Sequence, residues 1–300
     1  MTITELAGKK SFLVTAELTP PKGTDYGKVL EAAENLVQAV DAVNVTDGQS
    51  AVMRSGSLAL SHFLLDKGIE PVFQLNCRDR NRIALQSELL SAFSLGIKNV
   101  LCITGDHVGL GDHKDAKQVF DLDAVSLLAV VSRLNEGCDM KGNPLAGATN
   151  LCPGAVVNPN ASPVEPQLLK MKRKIQAGAR FFQTQPVFEI SLLKPFADEA
   201  ARMGVPLLAG VMVLRSAGMA RYINKHISGI SVPVKLVEYL EKSRDPVITG
   251  LEIAAGLINE ARGVCRGVHL MTIGAEELVP QVLEKAGIKK EKRFSETEVE

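Results

Sequence analysis

The chain has 300 residues, 46% of them hydrophobic, with 34 basic and 34 acidic side chains. That is enough to bury a full core, either as one large α/β barrel or as two smaller domains. A formal net charge of zero, few aromatics and no tryptophan argue against a nucleic-acid binder, which needs a basic face and stacking rings. Residues 12–18 form a β-rich run that ends in Glu17-Leu18-Thr19-Pro20-Pro21. Asp25 is placed to cap the following helix, where Val29, Ala32, Ala33, Leu36, Val37 and Val40 keep helical spacing. Residues 42–46 are a second short strand, broken by Asp47-Gly48. A helix at 58–66, a strand at 71–75 and a polar stretch at 76–81 come next, and a helix at 83–95 ends at Gly96, a natural C-cap. The apolar run 100–103 is a buried strand that drops abruptly into Thr104, Gly105, Asp106 and His107. A loop to Phe120 leads into a helix at 123–134, and 137–150 reads as a glycine-rich loop. Strand 154–157 runs into Asn158-Pro159, helix 167–177 ends at Gly178, and strand 180–184 ends in Gln185-Pro186. Helix 192–203 ends at Gly204, and strand 206–213 leads to Arg215. Helical stretches at 234–242 and 249–265 precede a last strand at 267–271 and a final helix at 276–286.

Eight strand-like runs, each followed by helical sequence, imply a parallel sheet, because each parallel crossover needs a helix. Eight units in this length predict a single-domain (β/α)₈ TIM barrel over residues 1–288, followed by a solvated charged tail at 289–300. No Gly-x-Gly-x-x-Gly follows the first strand, which weighs against a Rossmann fold. Residues 1–10 lack the pattern of a signal peptide, and no apolar segment has the length of a membrane span. The five cysteines form no Cys-x-x-Cys pair, so neither a zinc site nor an iron–sulfur cluster is indicated. The expectation is a cytoplasmic protein with reduced thiols.

A barrel brings its strand ends to one cavity, so Glu17, Thr46, Gln74, Asp106, Asn158, Gln185 and Arg215 are expected to converge. Burial raises a carboxyl pKa and hydrogen-bond donors lower it, so two carboxylates in one mouth can divide acid work from electrostatic work. Glu17 reads either as a desolvated general acid or as a carboxylate paired with an arginine at the rim. Asp106 follows a glycine at a strand's carboxyl end, where it is either a site residue or a turn residue bonding nearby backbone. His107 and His113 read as loop histidines rather than metal ligands, and no metal site is assigned. The charge run from Lys170 to Lys174 is either a solvated helix face or, through Arg173 or Lys174, a contact to a cofactor phosphate.

Five motifs occur in register at these strand ends. They are Glu17-Leu18-Thr19-Pro20-Pro21, Val43-Asn44-Val45-Thr46-Asp47-Gly48 and Ile103-Thr104-Gly105-Asp106, then Leu169 to Lys174 with Ala177-Gly178-Ala179, and Thr184-Gln185. Together they resemble the methylenetetrahydrofolate reductase family, in detail over residues 12–189. The resemblance implies a flavoprotein, with FAD or alternatively FMN, that reduces 5,10-methylenetetrahydrofolate to 5-methyltetrahydrofolate. Glu17 matches the family's general acid, and Asp106 matches an aspartate beside the flavin that also contacts folate. Thr46, Gln74, Thr104, Gly105, Asp106, Phe120, Asp121, Gln167, Arg173 and Lys174 fall at flavin-binding positions, and Gln185 at a folate-contacting one. Gln74, the Val156-Val157-Asn158-Pro159 segment, Pro186 and Thr272-Ile273-Gly274 depart from the better-known bacterial pattern. In these departures the chain resembles the branch of anaerobes that fix one-carbon units.

The resemblance further implies NAD(P)H or a partner redox subunit as electron donor, and an oligomer, either of this chain alone or with a companion subunit. In the implied reaction Glu17 protonates the departing N10 of the folate, and reduced flavin passes hydride to the one-carbon unit. Two rivals use the same strand ends. One is a flavin-free, pterin-dependent barrel methyltransferase. The other is a non-catalytic pterin-binding subunit that scaffolds an electron-transfer complex.

Overall fold

The structure, a computed structural model, describes residues 1–227 and 229–288, so the tail expected at 289–300 lies outside the described residues. The expected strands form as β1 Leu13–Leu18, β2 Ala42–Val45, β3 Pro71–Asn76, β4 Asn99–Ile103, β5 Cys152–Val157, β6 Phe181–Pro186, β7 Leu207–Met212 and β8 Gly267–Met271. They pair in parallel in sequence order, and β8 returns to β1 to close the barrel. Strands covered on both faces need no polar alternation, which is why their sequences read as continuous apolar runs. Every residue of β1, β2 and β7 is buried, the charged and polar ones that matter below included.

The outer ring consists of α2 Gly27–Val37, α3 Ser57–Asp66, α4 Arg82–Ser94, α5 Ala124–Asn135, α6 Glu165–Gln176, α7 Lys194–Met203, α8 Ala217–His226, α9 Val234–Lys242, α10 Pro246–Ala261 and α11 Leu278–Lys285. Its ends follow ordinary capping chemistry: Asn81 accepts from the amides of Ile83 and Ala84, and Asp123 from Ser126. On α5, Leu127, Leu128, Val131 and Leu134 face the core between helices and sheet.

Two helices were not expected. The first is α8, whose buried positions are only Ala217, Ala220 and Ile223, too small a stripe to stand out in sequence. The second is α1 Ile3–Lys9, which carries a capping box between Thr2 and Glu5. Its Ile3 and Leu6 pack with Leu13, Ala42, Val72, Leu101, Phe181 and Leu208 and plug the amino-terminal end of the barrel. Two residues further along the strands the interior turns polar, with Thr15, Asn44, Gln183 and His269. Gly154 is required at this level, because a Cβ there would lie 2.2 Å from the Phe181 ring that fills the barrel. The strand β6 extends beyond the expected end to include Gln185 and Pro186, with a register shift against β7 between Gln183 and Pro186.

Candidate active site at the carboxyl-terminal mouth

Glu17 is the fifth residue of β1 and points into the barrel above the polar layer. It is 8% exposed. Among the described residues the basic side chain that faces it is a histidine and not an arginine: His269 Nε2 lies 3.8 Å from Glu17 Oε2. The rim pairing weighed in sequence is therefore absent for Glu17. It is made instead by Asp47 on the next strand end, which binds Arg80 at 2.8 Å.

Around Glu17, strand geometry brings the mouth together. Val72 faces the barrel interior, and a strand's side chains alternate, so Gln74 faces it as well, while Gln185 is half-buried at the register shift between β6 and β7. Ile103 and Val156 pack on the same interior cluster and supply apolar wall. Thr46 stands just past β2 and is buried, and its Oγ1 has no hydrogen-bond partner. Arg215, past β7, donates from Nη2 to the Ile273 carbonyl at 3.0 Å, while its buried Nε has no partner. Unsatisfied buried polar atoms are costly, and at a cavity mouth they mark where a ligand or water bonds.

Asp106 follows Gly105, whose φ of +93° a side chain would rarely adopt and whose Cβ would lie 3.0 Å from that of Arg78. The Asp106 carboxylate accepts the Ser50 amide at 2.9 Å, so it ties the β4 loop to the β2 loop. Its carbonyl accepts from Arg78 Nη1 at 3.3 Å, and the same nitrogen donates to the Gly48 carbonyl at 3.2 Å. Arg78 is buried and is a hub that sequence reading passed over as part of a polar loop.

The remaining candidates divide. Thr104 is exposed, and its hydroxyl accepts the Ala124 amide at 3.3 Å, at the start of α5. Phe120 is half-buried with φ +39°. Asp121 accepts from the Arg82 amide at 2.8 Å, Nε at 2.8 Å and Nη2 at 2.7 Å, and these donors hold its carboxyl down at about 2. On α6, Gln167 is half-buried and Arg173 exposed, whereas Lys174 turns inward and donates to the Val156 carbonyl at 2.6 Å. Burial, and then the neighbouring Lys170, lower the Lys174 pKa. Within the charge run, Lys170, Lys172 and Arg173 are exposed and Lys174 is its one inward member. Asn158 bonds its own loop, accepting the Asn160 amide at 3.0 Å.

The second Gly-Asp-His has a structural place. Asp112 pairs with Lys22, contacts His113 and accepts the Met53 amide at 2.9 Å, which together hold its carboxyl far below the usual range. His107 Nδ1 accepts the Gly109 amide within its own turn. A separate cavity of about 530 Å³ lies on the same face between the β5 and β6 loops, against Asn160, Phe188, Leu192 and Pro233, and none of the candidate residues lines it.

The fold and this mouth define a closed (β/α)₈ barrel with a buried carboxylate and unpartnered polar groups at its strand ends. The sequence model of the methylenetetrahydrofolate reductase family matches residues 2–287, and the chain belongs to that family. It is 20% identical over 286 residues to the 5,10-methylenetetrahydrofolate reductase of Escherichia coli K12, covering 92% of this chain and 91% of that one. It is 24% identical over 250 residues to a probable methylenetetrahydrofolate reductase (NADPH) of Caenorhabditis elegans, covering 79% of this chain but 35% of that protein. Among solved structures, an uncharacterized Clostridium thermocellum protein that binds two copies of 5-methyl-5,6,7,8-tetrahydrofolic acid superposes with a TM-score of 0.69. It is 15% identical, and the match covers 95% of this chain and 98% of that one. A 2,3-dimethylmalate lyase superposes with a TM-score of 0.50 at 12% identity, over 98% of this chain and 91% of that one. At these identities the structural likeness is one of fold.

Proposed function

We propose that the protein reduces 5,10-methylenetetrahydrofolate to 5-methyltetrahydrofolate with a bound flavin, and that Glu17 is the general acid. The observation that carries this reading is a buried Glu17 at the barrel mouth of a chain belonging to this family. The folate ligand is supported by what the C. thermocellum barrel binds.

The mouth fits a planar, hydrogen-bonding cofactor. Thr46 Oγ1 is buried and unpartnered, Ile103 and Val156 offer apolar wall, and Gln74 faces the same space. Thr46, Gln74, Thr104, Gly105, Asp106, Phe120, Asp121, Gln167, Arg173 and Lys174 would hold the flavin, and Gln185 the folate. Bound flavin supplies the hydride. Glu17 holds a proton for N10 of the folate, so that this nitrogen leaves as a neutral amine when the five-membered ring opens. The buried position shields that proton from bulk water. Asp106, fixed by the Ser50 amide and by Arg78, places a negative charge beside the reacting groups, where it favours the cationic character of the ring-opened carbon. The electron donor in this reading is NAD(P)H or a companion redox subunit.

Glu17→Gln tests the reading. The variant retains flavin and is still reduced by donor, while folate turnover falls about 10²–10⁴-fold. Normal turnover in that variant would remove Glu17 from the mechanism. A colourless purified protein would favour the methyltransferase. Flavin that dithionite reduces but methylenetetrahydrofolate does not reoxidise would favour the binding subunit.

A further inference from the structure

Below Glu17 the barrel interior carries a continuous polar chain in a layer that barrels of this kind usually fill with Val, Ile and Leu. Asn44 on β2 and Gln183 on β6 form a reciprocal amide pair, Asn44 Nδ2 to Gln183 Oε1 at 2.7 Å and Gln183 Nε2 to Asn44 Oδ1 at 3.0 Å. The Gln183 Nε2 also donates to Thr15 Oγ1 at 3.4 Å. Thr15 Oγ1 lies 3.0 Å from His269 Nδ1, and the two residues are register partners on β1 and β8. The far nitrogen of the ring, Nε2, faces Glu17 Oε2 at 3.8 Å. All five residues are buried. A buried polar layer is tolerated only when it is satisfied, and an apolar layer would fill the same space without that demand.

The chain has a direction. Gln183 uses its oxygen on Asn44, so it turns an N–H toward Thr15. The Thr15 oxygen accepts that N–H, and its own proton has two acceptors in reach, the Val268 carbonyl at 3.4 Å and His269 Nδ1 at 3.0 Å, of which His269 is the nearer. Nδ1 is then an acceptor, and the ring proton sits on Nε2, facing Glu17. We propose that His269 is the positioning residue for Glu17. Held as the Nε2–H tautomer by Thr15, it binds Oε2 from below and leaves Oε1 to hold and deliver the proton at the mouth. The 3.8 Å separation closes to a hydrogen bond by a small rotation of the Glu17 side chain, as catalytic contacts tighten when substrate is bound. This inference rests on the reading of Glu17 as the general acid.

The test has one arm that needs neither flavin nor folate. The chain has five histidines, so ¹⁵N-correlated imidazole spectra of the whole protein at about pH 8, above the ordinary imidazole range, are resolvable, with His269→Asn identifying the signal. The expected result is an Nε2–H tautomer for His269. Thr15→Val is expected to mix in the Nδ1–H form, and Glu17→Gln to move the Nε2 resonance. An Nδ1–H tautomer in the unaltered protein, or signals that neither substitution moves, would overturn the proposal whatever the enzyme does. In the second arm, His269→Leu lowers the folate half-reaction on the order of 10²-fold through misplacement of the acid, and His269→Gln, which keeps an N–H donor, loses less. A His269→Leu protein that folds and turns over folate at the unaltered rate would also overturn it. If Glu17→Gln keeps full folate turnover while the tautomer results hold, the general-acid reading fails and the buried chain stands as described.

Discussion

At the scale of single residues, the site separates groups that hold loops from groups left for chemistry. Asp106 does both in the proposed reading. Its carboxylate accepts the Ser50 amide, so Asp106→Asn loosens the β2 loop and removes a negative charge beside the flavin. The expected outcome is a raised flavin midpoint potential and slower folate reduction; an unchanged potential with flavin still bound would remove the electrostatic role. Asp121 has a different behaviour. Its carboxyl is held at about 2 by Arg82, below the ordinary aspartate value of about 3.9. A depressed carboxyl stabilises the fold above the unfolded value and loses that contribution as pH falls toward the folded one. The window is therefore roughly pH 4 down to 2, and the exposure of the pair keeps the effect small. Arg82→Ala is expected to return the Asp121 carboxyl toward its ordinary value in an NMR titration. Glu17, Thr46, Asp106 and Gln185 were legible in sequence because strand ends and motif spacing point to them. Asn44, Gln183 and His269 were not, since a polar residue inside an apolar strand carries no sign of what it faces across the barrel.

At the scale of elements, α1 and the lower layer illustrate what burial does. Ile3 is fully buried against the strand residues that close the base, so Ile3→Ala is expected to cost about 2–5 kcal/mol in urea unfolding, without changing flavin content. Gly154→Ala puts a methyl group into the Phe181 ring, and overpacking of this kind costs about 1–3 kcal/mol. The double variant with Phe181→Leu should recover part of that loss, and strict additivity would show that the two sites do not touch. Most element boundaries fell close to their expected places because strand runs end in Gly, Pro, Asn or Asp, which terminate pairing for local reasons. The helix α1 escaped because seven residues give too short a pattern to show periodicity, although its Thr2–Glu5 capping box is a local signal. The helix α8 escaped because small buried residues leave no apolar stripe.

At the scale of the whole molecule, closure of the barrel makes one mouth. If donor and folate use that mouth in turn, initial-rate plots are expected to give parallel lines, and intersecting lines would require both to be bound together. Alternation of strand and helix, the count of eight, and the polar ends of the strands were determined by sequence alone, because each follows from interactions within a few residues along the chain. The family follows from the same strand-end motifs. Only the tertiary structure decided which side chains meet across the barrel. Glu17 and His269 stand at opposite ends of the chain and become neighbours because β8 closes on β1. Asp47 takes the arginine and leaves Glu17 with a histidine, a choice made by how the loops after β2 and β3 meet and not by any residue's own preference.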